Sequence, residues 1–131
     1  MIGATRTGRR PTQVEPRSGV SGARRALEAY FAGDIGAING LAARPEGTEF
    51  QRRVWAALRK IPAGATASYG EIAAQIGQKG AARAVGIANN RNRIAIVIPC
   101  HRVIGANGAL VGYGGGLERK LWLLRHEGAM F

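Results

Sequence analysis

The residues best suited to covalent chemistry stand together at Cys100, His101 and Arg102. Cys100 is the only cysteine of the 131-residue chain, and it follows the apolar run Ile94 to Ile98 and then Pro99. A thiol reacts as its thiolate, and a neighbouring histidine or arginine favours that form. The pattern therefore predicts a cysteine nucleophile with a histidine base. The alternative is a cysteine that only fills the core, because free cysteines are among the most buried residues.

The segment before Cys100 must hold the thiol in place. A short run rich in isoleucine and valine predicts a buried strand or strand-like segment. Pro99 ends regular pairing, because proline has no backbone N–H to donate. Cys100 is therefore expected at a fixed turn, at the edge of a dry core that keeps water away from the nucleophile.

Two capping boxes predict helix starts upstream of this segment. Thr48 with Gln51 precedes an amphipathic helix, and Ser68 with Glu71 precedes a shorter one. A further helix is predicted from about Ala81 to Asn90. Two short helices joined by a glycine-containing turn are typical of a helix-turn-helix, whose second helix contacts DNA.

The C-terminal part predicts turns followed by one more helix. Gly105 to Gly116 is rich in glycine, which indicates turns and close backbone approach. The last helix is predicted to start near Leu117 and to end near His126. Glu127 is unusual at that end, because the helix dipole disfavours a carboxylate there. It either has a separate task or is an exposed end residue.

Composition restricts the function classes. The net charge is +11, and residues 47 to 131 hold 12 basic and 4 acidic side chains, a net of +8. This charge favours an anionic partner, most often nucleic acid. One cysteine excludes an internal disulfide, and with two histidines it cannot complete a four-ligand zinc site, so no metal is expected. Without a membrane-length apolar run or a signal pattern, we expect no membrane contact and a cytoplasmic protein.

The N-terminal third is less regular. Residues 1 to 20 are rich in Arg, Gly, Thr, Ser and Pro, which predicts a mobile basic tail. Ser21 precedes a short helical pattern that Gly33 ends. Residues 34 to 47 form a long connection without clear periodicity.

Five pieces of the chain resemble the O6-alkylguanine-DNA alkyltransferases, the methylated-DNA–protein-cysteine methyltransferases, in order and spacing. The pieces are GTEFQRRVWAALRKIPAGATASYGEIA, RAVGIANNRN, IPCHRVIG, GYGGGLERK and LLRHEG. The resemblance implies that residues 47–131 are a mainly α, winged-helix-like helix-turn-helix domain with a short strand or hairpin element. Residues 1–46 would then be a flexible basic tail plus a truncated remnant of the family's α/β N-terminal domain.

The resemblance also implies roles for catalytic residues. Cys100 resembles the acceptor thiol, His101 the residue that takes the thiol proton through a water, and Glu127 the acid that orients this histidine. These three residues would form a proton relay from Cys100 to His101, with Glu127 behind it. Under that relay Cys100 would be a thiolate near neutral pH. The alternative for Glu127 is a purely structural pairing with a nearby arginine. Asn92 resembles the asparagine that braces the active-site turn, and Tyr69 the residue that meets the target nucleotide and its 3′ phosphate.

The DNA-binding set implied by the resemblance centres on the second helix of the helix-turn-helix. Arg83 resembles the arginine that fills the gap left by a flipped base, in a helix that enters the minor groove. Ala82, Arg91 and again Tyr69 complete this set.

The implied substrate pocket lies around Cys100. Tyr113 resembles a pocket wall, and Gly114 stands where a backbone N–H can donate to O6 of the guanine. Val103 stands where a carbonyl can receive the guanine amine, and Pro99 completes the pocket.

The implied function is repair of double-stranded DNA. One alkyl group passes from O6-alkylguanine, or from O4-alkylthymine, to Cys100, without a cofactor and in a monomer that reacts once. One alternative is a non-enzymatic alkyltransferase-like protein that binds the lesion and flags it for other repair, although such relatives lack the acceptor cysteine. Another is a plain basic DNA-binding module, which does not explain Cys100, Tyr113 and Glu127 together.

Overall fold

The computed structural model describes residues 14–15, 19–113 and 116–130, and this part of the chain is mainly helical, as predicted. The helices are α1 (Gly19–Phe31), α2 (Glu49–Leu58), α3 (Tyr69–Gln75), α4 (Ala82–Asn90) and α5 (Leu117–His126). The strands are β1 (Val14–Glu15), β2 (Ala42–Ala43), β3 (Ala67–Ser68) and β4 (Val103–Ile104). Two 3-10 helices span Ile35–Ile38 and Cys100–Arg102.

The strands form two small pairs. β1 and β2 are antiparallel, with Val14 opposite Ala43. β3 and β4 are parallel, with Ala67 opposite Val103. The parallel pair ties the residues that lead into α3 to the residues that follow Cys100–Arg102, and it is the short strand element expected beside the helix-turn-helix.

Both predicted capping boxes are present. The Thr48 hydroxyl accepts from the N–H of Gln51 at 3.0 Å, and the Gln51 side chain accepts from the N–H of Thr48 at 3.0 Å. Ser68 and Glu71 make the same reciprocal pair at the start of α3. Each box satisfies two backbone donors that a helix N-terminus leaves unpaired.

The helix-turn-helix is held against α2 by apolar packing and one buried hydrogen bond. Val54 and Leu58 of α2 are fully buried, as are Ile72 of α3 and Val85 of α4. The indole Nε1 of Trp55 donates to the carbonyl of Ala88 in α4 at 2.9 Å. This bond fixes the direction of α4, which lies directly before the segment that carries Cys100.

The apolar run before Cys100 is buried, as predicted, but the predicted strand is wrong. Ile94, Val97 and Ile98 are at most 3% exposed, yet they form a tight turn in which the N–H of Ile98 donates to the carbonyl of Ile94 at 2.9 Å. Ile96 has φ of 75°, a left-handed conformation that β-branched residues rarely adopt. The turn forms because Asn92 supplies the partners that a neighbouring strand would have supplied.

Asn92 closes this turn with both ends of its side-chain amide. Its Nδ2 donates to the carbonyl of Ile98 at 2.8 Å, and its Oδ1 accepts from the N–H of Ile94 at 2.9 Å. One side chain thus bonds both ends of the five-residue run, and its amide fits this task because it offers a donor and an acceptor.

Helix α1 packs on the C-terminal part of the molecule. It begins at Gly19, slightly before the predicted start after Ser21, and Gly33 follows its end with φ of 119°. Leu27 packs against the main core, and Tyr30 is fully buried in a smaller cluster with Ile38 and Leu123. The division of the chain at residues 46 and 47 stays a prediction. None of the described helices is long and apolar enough to cross a membrane.

Replacing Ser68 tests the second capping box. Ser68→Ala should lower the free energy of unfolding by about 1 kcal/mol, because the N–H of Glu71 loses its acceptor. Ser68→Thr keeps a hydroxyl at the cap and should cost clearly less. Urea denaturation measures both, and equal losses for the two variants would contradict the capping role.

Candidate active site

Cys100 begins a rigid 3-10 turn. Pro99 precedes it as N-cap, the N–H of Cys100 donates to the carbonyl of Ile98 at 2.8 Å, and the N–H of Arg102 donates to the carbonyl of Pro99 at 3.0 Å. From α4, the side chain of Asn89 donates to the carbonyl of Cys100 at 3.3 Å. The thiol is therefore placed by backbone bonds on both sides, as the sequence predicted for a residue at a fixed turn.

The thiol lies at the edge of a mainly apolar cavity of about 400 Å³. Cys100 itself is only 6% exposed. Asn92, Tyr113, Trp122 and Phe31 are among the other lining residues. The cavity is large enough for a planar ligand, since small-molecule pockets usually begin near 300 Å³.

Burial raises the pKa of the Cys100 thiol. A hydrogen bond from Asn92, the local backbone and the charge of Lys120 act in the opposite direction without overcoming the burial. The expectation of a thiolate near neutral pH is therefore wrong for the protein without substrate. A charged sulfur is poorly solvated in this apolar site, so the thiol form is favoured.

His101 is fully buried beside Glu127. Its Nε2 lies 2.9 Å from Oε2 of Glu127. Burial lowers the pKa of His101, and the hydrogen bond to Glu127 opposes this only in part, so the imidazole is neutral near pH 7. Since the carboxylate can only accept, Nε2 carries the proton and Nδ1 is a bare acceptor. Nδ1 is buried and bonds to none of the described residues.

Glu127 accepts hydrogen bonds from three side chains. Arg102 donates through Nε to Oε1 at 2.8 Å and through Nη2 to Oε2 at 2.8 Å, and Tyr30 donates to Oε2 at 2.7 Å. Burial alone would raise the pKa of Glu127, but hydrogen bonds from His101, Arg102 and Tyr30 lower it to about 2. The unusual carboxylate at the end of α5 is thus stabilised by these donors, and it pairs with both the histidine and an arginine.

Two tyrosines stand near the thiol. Tyr69, the first residue of α3, donates to the carbonyl of Val111 at 3.3 Å, and burial together with Cys100 raises its pKa. Burial, with a smaller effect of Cys100, raises the pKa of Tyr113 to about 12. Both phenols are therefore protonated at neutral pH and able to donate.

Lys120 was not predicted as a site residue. It is fully buried in α5, and its Nζ donates to the carbonyls of Val103 at 2.5 Å and of Val111 at 2.7 Å. Burial lowers its pKa to about 8, partly opposed by Cys100. One lone pair of the Val103 carbonyl is thus already engaged, and its second can serve a further donor. Gly114, the other predicted backbone group, lies outside the described residues.

Three of the four predicted DNA-contact residues lie in or directly after α4, whereas the fourth, Tyr69, stands near the thiol. Ala82 is the first residue of α4 and is half-buried, Arg83 follows it and is exposed, and Arg91 caps the other end and is exposed. The structure thus presents both arginines to solvent on the second helix of the helix-turn-helix.

Sequence reasoning gave no role in the site to Tyr30, Asn89 or Lys120, and it named Arg102 only as a neighbour that favours the thiolate. Lys120 stands three and four residues before the buried Leu123 and Leu124, so helical periodicity alone places it on the inner face. No local signal was available for Tyr30 and Asn89, because their partners lie 97 and 11 residues away in sequence.

Comparisons with known proteins agree with this geometry. The family model for the 6-O-methylguanine DNA methyltransferase, DNA binding domain, matches residues 49–129. The methylated-DNA–protein-cysteine methyltransferase of Salmonella typhimurium is 61% identical over 102 residues, which are 78% of this chain and 60% of that protein. The chain thus spans about 60% of the length of this relative.

Two solved structures are similar as well. The crystal structure of Mycobacterium tuberculosis OGT in complex with DNA has a TM-score of 0.76 at 57% identity, over 82% of this chain and 66% of that one. The crystal structure of S. pombe Atl1 in complex with damaged DNA containing O6-carboxymethylguanine has a TM-score of 0.56 at 35% identity. The match covers 61% of this chain and 76% of that one.

The depressed pKa of Glu127 predicts acid sensitivity. The pKa falls from the ordinary 4.5 to about 2. A depressed folded-state pKa means that the stabilisation is complete above pH 4.5 and is lost as the pH falls toward 2, by up to about 3 kcal/mol. The stability advantage of the wild type over Glu127→Gln should therefore shrink from pH 6 to pH 3 in urea denaturation. An advantage that stays constant over this range would contradict the assignment.

Proposed function

Because the chain belongs to the family of the 6-O-methylguanine DNA methyltransferase DNA-binding domain, we propose that it repairs alkylated DNA by taking the alkyl group onto Cys100. The observation that carries this proposal is that Cys100 lines a cavity beside the helix-turn-helix and is followed directly by the buried His101, which pairs with Glu127. The substrate is double-stranded DNA with O6-alkylguanine or O4-alkylthymine. The protein acts in the cytoplasm as a monomer and without a cofactor.

DNA binding precedes the chemistry. The +8 charge of residues 47 to 131 attracts the phosphate backbone, and α4 enters the minor groove. The alkylated oxygen lies inside the duplex, so the nucleotide must be flipped into the cavity, which costs a few kcal/mol. Arg83, exposed near the start of α4, fills the gap in the stack and offsets part of that cost, because a planar guanidinium stacks on bases. Tyr69 meets the flipped nucleotide, while Ala82 and Arg91 contact DNA at the two ends of the helix.

The thiol is activated only when substrate is bound. The proton leaves Sγ of Cys100 for Nδ1 of His101 through a bridging water, and Glu127 stabilises the imidazolium through Nε2. The rigid turn, with Asn92 across its base, holds the sulfur still during this step. A resting thiol also protects the site, since a thiolate would react with oxidants as well.

Alkyl transfer is an in-line displacement. The sulfur attacks the alkyl carbon, the S–C bond forms and the C–O6 bond breaks, with its electron pair passing to the guanine. The guanine takes a proton from the Tyr69 hydroxyl, which recovers one from the imidazolium, so the thiol proton ends on the base. The backbone N–H of Gly114 stabilises O6, the carbonyl of Val103 receives the guanine amine, and Tyr113 lines the pocket. Pro99 contributes by fixing the turn that begins at Cys100.

The reaction is single-turnover. The product thioether is buried in an apolar site, and none of the steps supplies a nucleophile to cleave it. Each molecule therefore repairs one lesion and is spent.

Mass spectrometry tests the proposal directly. Incubation with duplex DNA containing O6-methylguanine should add one methyl mass to the intact protein, located at Cys100, and lesions in molar excess should stay unrepaired. Cys100→Ser should bind the same DNA and gain nothing.

Two outcomes would contradict the proposal. Repair of more lesions than protein molecules would exclude a single transfer. DNA binding without any mass gain would instead favour a lesion-binding protein that flags the damage.

The role of Arg83 predicts a difference between substrates. Arg83→Ala should slow transfer from duplex DNA by about tenfold or more, because Arg83 no longer offsets part of the flipping cost of a few kcal/mol. Transfer from free O6-benzylguanine should be nearly unchanged, since no base is flipped. Rates are measured by loss of the free thiol.

Arg24→Ala serves as the matched control. Arg24 is an exposed arginine on α1, outside the helix-turn-helix, and its removal changes the net charge equally. Equal slowing by the two substitutions would mean that Arg83 acts only through its charge, and it would contradict the stacking role.

A further inference from the structure

Helix α1 contributes a buried hydroxyl to the centre of the reacting site. Tyr30 is fully buried, and its Oη donates to Oε2 of Glu127 at 2.7 Å across 97 residues of sequence. Oε2 is also the oxygen that faces Nε2 of His101 at 2.9 Å. The phenol therefore shares the carboxylate oxygen on which the proposed relay depends.

Contacts to the backbone carbonyl and to the ring of Tyr30 hold the residue in this position. Nε2 of His126 donates to the backbone carbonyl of Tyr30 at 2.7 Å, and the two rings meet edge to face at 5.1 Å. On its other side the Tyr30 ring meets Phe31 edge to face at 5.2 Å. The side chain has no freedom to leave Glu127 without disturbing this aromatic cluster.

Helix α1 lies outside the residues that the family model matches, which begin at 49. Nothing in that match assigns a task to the helix. Packing alone would need an apolar side chain at position 30, whereas a buried tyrosine hydroxyl is costly unless it is bonded. The hydroxyl therefore indicates a polar task at Glu127.

We propose that Tyr30 is a positioning residue for alkyl transfer, whose hydroxyl fixes the Glu127 carboxylate that in turn fixes His101. This inference rests on the proposed function of the site. Under this proposal α1 both covers the core and supplies a hydroxyl that positions the groups of the proton relay.

The physical effect of the hydroxyl is on the charge of Oε2. Each donor withdraws part of the negative charge, so Oε2 stabilises an imidazolium less than a free carboxylate oxygen would. Tyr30 thereby helps to keep His101 neutral, with Nδ1 ready to accept the thiol proton. Its own burial and its bond to Glu127 raise the pKa of Tyr30, so it stays a donor.

Several other titratable or charged groups face this cluster. They are His101, Arg102, Tyr113, Lys120, His126 and Glu127. A substitution at Tyr30 leaves all of them in place, so a change in titration reports on the lost hydroxyl.

Tyr30→Phe provides the test. The rate of transfer from free O6-benzylguanine is measured against pH, below the melting temperature of each protein. The acid side of this profile reports protonation of His101, and in Tyr30→Phe its midpoint should move to higher pH by roughly half a unit or more. Free base avoids any contribution from DNA binding.

Ala23→Gly is the matched control on the same helix. Ala23 packs on the main core, and glycine inside a helix lowers the melting temperature. Its pH midpoint should equal that of the wild type. If Tyr30→Phe also lowers only the melting temperature and leaves the midpoint unmoved, the positioning role is overturned.

A second measurement keeps this inference separate from the proposed function. Nitrogen-15 NMR titration of the His101 ring needs no alkyl transfer, and it should show the same upward shift in Tyr30→Phe. If the wild type transfers nothing while this shift is present, the proposed function fails and the role of Tyr30 in the site's protonation stands.

A measurement on the wild type covers the case in which Tyr30→Phe does not fold. The hydroxyl proton of Tyr30 should then appear as a protected proton resonance with a nuclear Overhauser effect to the His101 ring. A hydroxyl proton in free exchange with solvent would overturn the inference.

Discussion

The structure depends most on one buried carboxylate, that of Glu127. A buried ionised group costs several kcal/mol unless hydrogen bonds replace its water. Here the donors come from two distant parts of the chain, since Tyr30 lies in α1 and His101 and Arg102 lie in the 3-10 turn that begins at Cys100. Arg102 also donates to the carbonyl of Ile61 at 2.7 Å, which brings in the loop after α2. The hydrogen bonds to this carboxylate therefore fix the relative positions of elements that are distant in sequence.

The same burial sets the chemistry of the site. An apolar surrounding raises the pKa of Cys100 and lowers that of His101, so both groups are neutral before substrate arrives. Neutral groups are the ones that an apolar cavity tolerates, and a thiol is less open to oxidation than a thiolate. In the proposed mechanism, charge separation is confined to the transfer step, in which Glu127 stabilises the imidazolium and the charge of Lys120 favours the thiolate. Rigidity and low reactivity at rest are two results of one dry environment.

Local sequence patterns predicted most of the helices because the signals are local. Capping boxes at Thr48 and Ser68 act over three residues, and the apolar face of α2 repeats within one helix. The composition of the run Ile94 to Ile98 predicts a strand, but the run forms a turn. Apolar composition indicates that a segment is buried and does not indicate whether it pairs with another strand. Whether such a run forms a strand depends on a neighbouring strand, and here the amide of Asn92 takes that place.

The sequence by itself determined the helices around the helix-turn-helix, the charge that suits nucleic acid, and the family through the motifs around Cys100. It also indicated that Glu127 was out of place at a helix end, and the resemblance paired it with His101. Only the tertiary structure decided that Tyr30 and Arg102 share this carboxylate and that Lys120 binds the carbonyls of Val103 and Val111. The physical reason is range. Propensities and caps act between residues a few positions apart, whereas a buried charge selects its partners by packing, across 25 residues for Arg102 and 97 for Tyr30.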